Sequence, residues 1–308
     1  MIVDVHAHVF PEVRGMTGAG PTRGLGYGLV SIGGENIVLM PPYNEKTVFT
    51  PEMLVANMDW AGVDKAVLLQ APFYGECNPY VIEALKRYPQ RLVGAAYFDP
   101  WAPDDQQAKL EEILASETFR AIKLECSEQA GLCGIYPEAD LGAPELEWLW
   151  RDLEHQGLVL VLDLGSVGSR SYQTDAVRRI AQGHPDLKIV VAHLGQPKPN
   201  IQADAELKKL WVKQISLGQL PNVWFDCSAL PAYLPDDDFP FPSAGKNLQE
   251  AINRIGPAKV MWGSDIPGLL SRAIYPQLVK MAHLHTAFLS PSEQDMILWK
   301  NASQVFKL

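Results

Sequence analysis

His6 and His8 stand one residue apart in the opening segment Asp4-Val5-His6-Ala7-His8. Alternate residues of a strand share a face, so a strand here aims both imidazoles into one space. Two neutral nitrogen donors on one strand make half of a site for a divalent ion, because imidazole suits zinc, iron, nickel and copper. Other apolar runs also end in ionisable or polar residues: Lys123 with Glu125, Asp163, His193, Asp226 with Ser228, and Asp265. Core packing asks for none of them there, and a ring of such groups is expensive to bury without a partner. A metal ion is the simplest common partner. Plainer readings stand beside this one. A lone histidine at a strand end is more often a hydrogen-bonded core residue, Asp265 can cap a following helix, and Lys123 can pair with Glu125 or Asp163. Asp4 falls on the histidine face one step deeper and reads as a buried hydrogen-bonding residue. His155, His184, His283 and His285 lie on or beside predicted helices and read as surface.

These residues need a frame that brings strand ends together. After the first strand, apolar runs recur at 65–70, 92–98, 119–125, 158–165, 188–193, 222–228 and 259–265. Most are near-continuously apolar, as strands covered on both faces are. Helices are predicted between them. Thr50-Pro51-Glu52 supplies an N-cap and a proline at the first helical position of a segment that stops at Gly62. Ser290-Pro291-Ser292-Glu293 adds a capping box ahead of a final helix, and segments 79–88, 104–116, 144–156, 172–183, 203–218 and 243–255 fill the gaps. Alternating strands and helices predict an α/β fold, a single (β/α)8 TIM barrel over residues 1–308, with Asp4 at its floor and the polar strand ends on its active face.

Two stretches break the rhythm. Residues 10–49 are glycine-rich and too long for an ordinary connection, so they predict a β-hairpin or lid inserted after the first strand, with Arg23 within it. Its glycines match no phosphate loop, since no helix follows in the required place. Residues 230–242 carry Asp236-Asp237-Asp238 without the spacing or closing glutamate of a calcium loop, and read as a solvated mobile loop. Trp101, Tyr233, Phe239 and Phe241 near the mouth read as exposed aromatics, facing a flat substrate or a partner subunit, or as loop packing.

The composition narrows the function. A net charge of −10 argues against a nucleic-acid surface, and no apolar run reaches the roughly 18 residues of a membrane span. Met1 leads straight into the first strand without the pattern of a secretory leader, so the expected location is cytoplasmic. Cys77, Cys126, Cys133 and Cys227 share no Cys-x-x-Cys spacing and are expected to be reduced and buried. The expected partner is a small-molecule substrate, and a homo-oligomer is left open.

The opening Val3-Asp4-Val5-His6-Ala7-His8, the sixth-strand Ala192-His193-Leu194-Gly195-Gln196-Pro197 and the eighth-strand Trp262-Gly263-Ser264-Asp265-Ile266-Pro267 together resemble the amidohydrolase superfamily. The likeness is to its amidohydrolase-related branch, which holds decarboxylases similar to aminocarboxymuconate semialdehyde decarboxylase besides hydrolases and lactonases. Met58-Asp59-Trp60-Ala61-Gly62-Val63-Asp64 and the closing Asn301-Ala302 are also typical, so the resemblance spans nearly the whole chain. It implies that His6, His8 and Asp265 ligate a divalent metal, zinc first and manganese second. It further implies that Asp265 exchanges protons with water or substrate and that His193 binds metal or polarises the substrate. Relatives with a single metal usually end the fifth strand in histidine, where this chain has Asp163. Asp163 either joins the ligands or pairs with Lys123 in a metal-free site of the pyrone dicarboxylate lactonase type. Glu125 stands where a histidine often follows the fourth strand.

The resulting expectation is a metal-dependent hydrolase of an amide, ester or lactone bond in a small acid. Lys123, Glu125 and Arg23 are the substrate-binding candidates, with Lys123 or Arg23 anchoring a substrate carboxylate. The alternatives are non-oxidative decarboxylation, a metal-independent lactonase, and a non-catalytic barrel that only binds a ligand.

Overall fold

In the computed structural model, which describes residues 1–308, the chain opens with β1 (Val3–Ala7). A four-stranded antiparallel sheet follows: β2 (Met16–Thr17), β3 (Gly20–Gly26), β4 (Leu29–Ile32) and β5 (Glu35–Val38), paired in that order. This sheet occupies the stretch expected as a hairpin or lid. The apolar runs then return as β6 (Lys65–Leu68), β7 (Leu92–Tyr97), β8 (Ala121–Glu125), β9 (Val159–Asp163), β10 (Lys188–Val191), β11 (Val223–Asp226) and β12 (Val260–Met261). Together with β1 they form an eight-stranded parallel sheet in sequence order. The ends of the sheet meet: Val5 N–H donates to Trp262 O (3.1 Å), Asp265 N–H to His6 O (2.7 Å) and His8 N–H to Ile266 O (2.9 Å). With helices between the strands, this is a (β/α)8 barrel.

Alternation along the strands sorts the side chains. Ile122, Leu124, Leu160, Leu162, Ile189 and Phe225 face the helices in the main core, whereas Val3, Val5, Val67, Ala95, Ala121, Val161, Val190, Trp224 and Met261 form a second cluster drawn from all eight strands. That second cluster is the barrel interior, and Ala302, Val305 and Phe306 of the last helix pack against it. Above this apolar layer the inward positions turn polar: His6, Lys123, Glu125, Asp163 and Asp226, all buried. On β8, β9 and β11 an ionisable layer over a dry floor is thus a product of strand period.

β1 departs from the simple alternation. Its pairing with β6 runs Asp4↔Ala66 and then Ala7↔Leu68, three steps against two, so one extra residue is accommodated. Such a bulge re-aims side chains. Val3 and Val5 join the interior cluster, and His6 and His8 still face the mouth. Asp4 therefore does not share the histidine face. It points outward to the helix Tyr275–Thr286, where its carboxylate accepts from Tyr275 OH (2.6 Å), Ser264 N–H (2.9 Å), His6 N–H (3.0 Å) and the Ser264 hydroxyl. Burial pushes its pKa up to about 6 against the pull of these donors.

The helices follow their end signals. Thr50 accepts from Met53 N–H at the start of Pro51–Ala61, and Gly62 ends it in the left-handed conformation. The capping box at Ser290 and Glu293 is formed. Helix Tyr275–Thr286 lies outside the predicted segments; it begins with a proline in its first turn and buries Leu278, Val279, Met281 and Ala282. Residues 230–242 are pinned rather than solvated throughout. Leu230, Leu234 and Phe241 are buried, and Arg272 donates to the carbonyls of Leu234, Pro235 and Asp237. His184 is also buried, between Glu147 and Glu154 at 3.1 Å each, because its helix C-terminus turns it inward. All four cysteines are buried and free, and no helix is long and apolar enough to cross a membrane.

The Asp4 carboxylate joins β1, the β12 end and an outer helix, so its loss should be felt globally. Asp4→Asn turns an amide donor towards groups that donate, and should lower the stability measured by urea unfolding by about 1–3 kcal/mol. An unchanged midpoint would show that these bonds do not support barrel closure.

Candidate active site

His6 and His8 have defined tautomers. The Nδ1 of His8 lies 2.9 Å from Leu69 O, which can only accept, so Nδ1 carries the proton. The Nδ1 of His6 lies 3.1 Å from Asp226 Oδ2. Asp226 is desolvated, yet His6, His193 and Ser228 hold its pKa well below the usual carboxylate range, so it too accepts. Burial lowers the His6 pKa to about 4 despite Asp226, and it lowers that of His8 despite Asp265, which keeps both rings neutral. Both Nε2 atoms then present lone pairs. That of His8 faces Asp265 Oδ1 at 3.0 Å, and that of His6 lies 3.7 Å from the same oxygen. The buried His6 Nε2 has no hydrogen-bond partner at all. Three acceptor atoms converge with no donor among them, which is the arrangement a cation satisfies.

His193 is built differently. Its N–H donates to Asp226 Oδ1 (3.0 Å), Nδ1 meets Ser228 Oγ (2.8 Å), and Nε2 meets Asp163 Oδ2 (3.0 Å). Burial opposes its charge, but Asp163 overcomes this and raises its pKa to about 10. Asp163 is held ionised in turn; its other oxygen accepts from Gly165 N–H (2.9 Å) and Gln196 Nε2 (3.1 Å). Both His193 and Asp265 sit just beyond strand ends with left-handed backbone, at φ 57° and 66°. Non-glycine residues in that region are strained, and such strain clusters at functional sites. Hydrogen bonds to Asp226 Oδ1 and His6 O hold the two in place.

The sequence matches the amidohydrolase family model over residues 3–308. The chain belongs to the amidohydrolase family. It is therefore an enzyme, which sets aside the non-catalytic barrel. No curated protein matches it in sequence. In structure this amidohydrolase is similar to a probable 2-pyrone-4,6-dicarboxylic acid hydrolase from Acinetobacter baumannii with citric acid bound (20% identity, TM-score 0.69, 100% of this chain and 99% of the other). It is also similar to a zinc-bound amidohydrolase from Burkholderia multivorans (17% identity, TM-score 0.72, 100% and 99%). A third likeness is to 2,6-dihydroxybenzoate decarboxylase from Rhizobium (16% identity, TM-score 0.61, 85% and 89%). At these identities the likenesses establish the shared barrel.

Within this amidohydrolase the expected residues divide. His6, His8 and Asp265 have ligand atoms within 4.8 Å of one another, as do His6, His193 and Asp226. The second set is already engaged internally through Asp226 and Ser228, which leaves the first. Asp163 belongs to neither set. Its Oδ2 meets His193, and its Oδ1 accepts from Gly165 and Gln196. Lys123 and Glu125 face each other at 3.2 Å, buried in the same layer. Burial and Asp163 push the Glu125 pKa up to about 7 while Lys123 opposes them. Lys123 is thereby committed to a partner. Arg23 does not reach the site: it is exposed on β3 opposite Ser31, while its neighbours Thr22 and Gly24 take the inner face. Tyr74 and Tyr233 also wall the centre, with rings 5.2 Å from His8 and 5.8 Å from His193. Tyr74 carried no signal in the sequence.

The His193–Asp163 pair makes a pH prediction. A raised histidine pKa stabilises the fold below the ordinary value near 6.5 and loses that contribution as pH rises through the folded value of about 10. In metal-free protein the His193 imidazole should be protonated at about pH 8 by nitrogen NMR, and Asp163→Asn should return it towards the ordinary range. The stability lost by Asp163→Asn should shrink as pH rises from 6 towards 10. A neutral His193 at about pH 8 in the unmodified chain would contradict this assignment.

Proposed function

We propose that this amidohydrolase is a metal-dependent hydrolase that cleaves an ester, lactone or amide bond of a small carboxylate-bearing acid. The observation that carries the reading is the convergence of His6 Nε2, His8 Nε2 and Asp265 Oδ1 with no donor among them. Two imidazoles and a carboxylate are the donors of three-ligand catalytic centres, which leave a position for water or substrate, and they favour zinc over manganese. His6, His8 and Asp265 would hold the ion. Once bound, it would supply Lewis acidity that polarises a carbonyl oxygen and acidifies a water.

The remaining work falls to the chain. Asp265 is half-buried, and desolvation opposes its charge, but His8, His6 and His193 keep its pKa below the usual range, so it is poised to accept a proton from attacking water. Returning that proton to the leaving oxygen or nitrogen completes the cycle. His193, held protonated by Asp163, sets a fixed positive charge beside the oxygen on which negative charge develops. Asp226 and Leu69 O fix the two ligand rings. An ionised Asp265 suits hydrolysis better than decarboxylation, which asks the same residue to deliver a proton to carbon.

The test combines metal analysis with activity. Purified protein should contain close to one zinc per chain, and His8→Ala should lose it while Asp163→Ala retains it. Hydrolysis of 2-pyrone-4,6-dicarboxylate and of simple esters should be measured beside carbon dioxide release from 2,6-dihydroxybenzoate. Asp265→Asn should lower the hydrolytic kcat by about 10²–10⁴-fold with the circular dichroism spectrum unchanged. Carbon dioxide release without hydrolysis, or full activity in metal-free protein, would overturn the reading.

A further inference from the structure

The cations around the mouth are nearly all committed. Lys123 is paired with Glu125, Arg170 with Glu128 and the Cys133 carbonyl, and Arg272 with three backbone carbonyls of the 234–237 turn. Arg23 faces solvent on the outer side of β3. Lys198 is the half-buried exception; Lys246, on the far side of the same cleft, also lacks an ion pair but is exposed. Lys198 has no carboxylate within salt-bridge distance; its Nζ rests 2.6 Å from Ser166 Oγ and 5.8 Å from the centre of the Tyr233 ring.

Its location is set by the catalytic loops. Lys198 follows the His193–Gln196 turn, whose Gln196 holds Asp163, and Ser166 follows Asp163 at the end of β9. Tyr233, beneath the ammonium, also contacts the His193 ring edge-on. The lysine therefore stands on the wall that begins at His193. On its other side opens a polar cleft of about 530 Å³, bounded by the helix Pro242–Ile255. Of the cleft's acids, Asp237 accepts from Ser243 N–H and Oγ and so is turned to the helix start. Burial pulls the Lys198 pKa down while Asp163 resists, the signature of a cation that has lost water without gaining a carboxylate.

A desolvated ammonium without an anion, one side chain from the reacting centre, is a recognition group awaiting its ligand. We propose that Lys198 is the specificity residue of this amidohydrolase. It binds the carboxylate of an anionic ester or lactone whose scissile carbonyl lies at His6, His8 and Asp265, and the cleft accommodates the acid's polar remainder. This rests on the hydrolytic reading above. It also moves the anchoring role away from Lys123 and Arg23.

Two chromogenic esters of matched length separate charge from reactivity: mono-4-nitrophenyl glutarate, which carries a free carboxylate, and 4-nitrophenyl valerate, which does not. The zinc-loaded enzyme should prefer the charged ester. In Lys198→Met its KM should rise about tenfold or more with kcat little changed, since a lost hydrogen bond to a charged group is worth at least that factor. Lys198→Arg should recover most of the preference, and Lys86→Met, a distant exposed lysine, should keep all of it. An unaltered preference in Lys198→Met would overturn the proposal. If the wild type turned over neither ester, the hydrolytic reading would fail, and titration calorimetry with glutarate would then judge the anchor by itself. Binding weakened about tenfold in Lys198→Met would support it, and equal affinity would overturn it.

Discussion

One buried carboxylate, Asp226, ties the catalytic strands together. Its Oδ2 fixes the His6 ring across the barrel, while its Oδ1 accepts the N–H of His193 and both the N–H and the hydroxyl of Ser228. Without it His6 would lose its tautomer, and the left-handed turn at His193 would lose the bond that offsets its strain. Ser228 passes the same constraint on to the His193 ring. The positions of His6, His193 and Ser228, on or beside β1, β10 and β11, thus follow from satisfying one desolvated anion. Satisfying it is obligatory, since an unpaired carboxylate at full burial costs several kcal/mol.

The same requirement governs the whole polar layer. Lys123 and protonated His193 are its positive charges, against Asp163, Asp226, Asp265 and, above about pH 7, Glu125. The layer therefore carries one or two uncompensated negative charges over an apolar floor. The surplus is concentrated at Asp265, the only carboxylate of the set that faces two histidine lone pairs and has no cation within ion-pair distance, His193 and Lys123 acting on it from further off. Charge balance and coordination chemistry point to the same place by separate routes.

The barrel was readable because its strands are apolar on both faces and its helices carry caps and prolines, local signals that tertiary packing did not override. The His-x-His pair survived for the same reason, since a bulge ahead of it leaves the spacing of the two rings intact. Asp4 did not, because the bulge adds one residue to β1 and no sequence signal marks it. Asp163 was legible as a strand-end acid but not in its role, which depends on Gln196 and His193 arriving from the next loop. Lys198 follows directly on the sixth-strand motif and was within reach of a reading that asked which nearby cations lack a partner. Arg23 drew attention by its charge, but its outward placement follows from the pairing register of β3, which glycine-rich sequence specifies weakly.

The replacement of a histidine by Asp163 on the fifth strand has a consequence beyond metal count. A neutral histidine there would add a ligand and leave His193 free to titrate in the ordinary range. An aspartate bonded to His193 instead converts that ring into a fixed cation and commits it to donating a hydrogen bond. Two roles are thereby separated: His6, His8 and Asp265 form the acceptor side of the centre, and His193 forms its cationic side. Glu125, whose pKa burial and Asp163 raise to about 7, buffers the charge of that arrangement while Lys123 opposes the rise. Lys123 already balances Glu125 within this layer. Lys198 stands outside the layer, half-buried and with no carboxylate to balance, so a substrate anion met there would leave the layer's charge undisturbed.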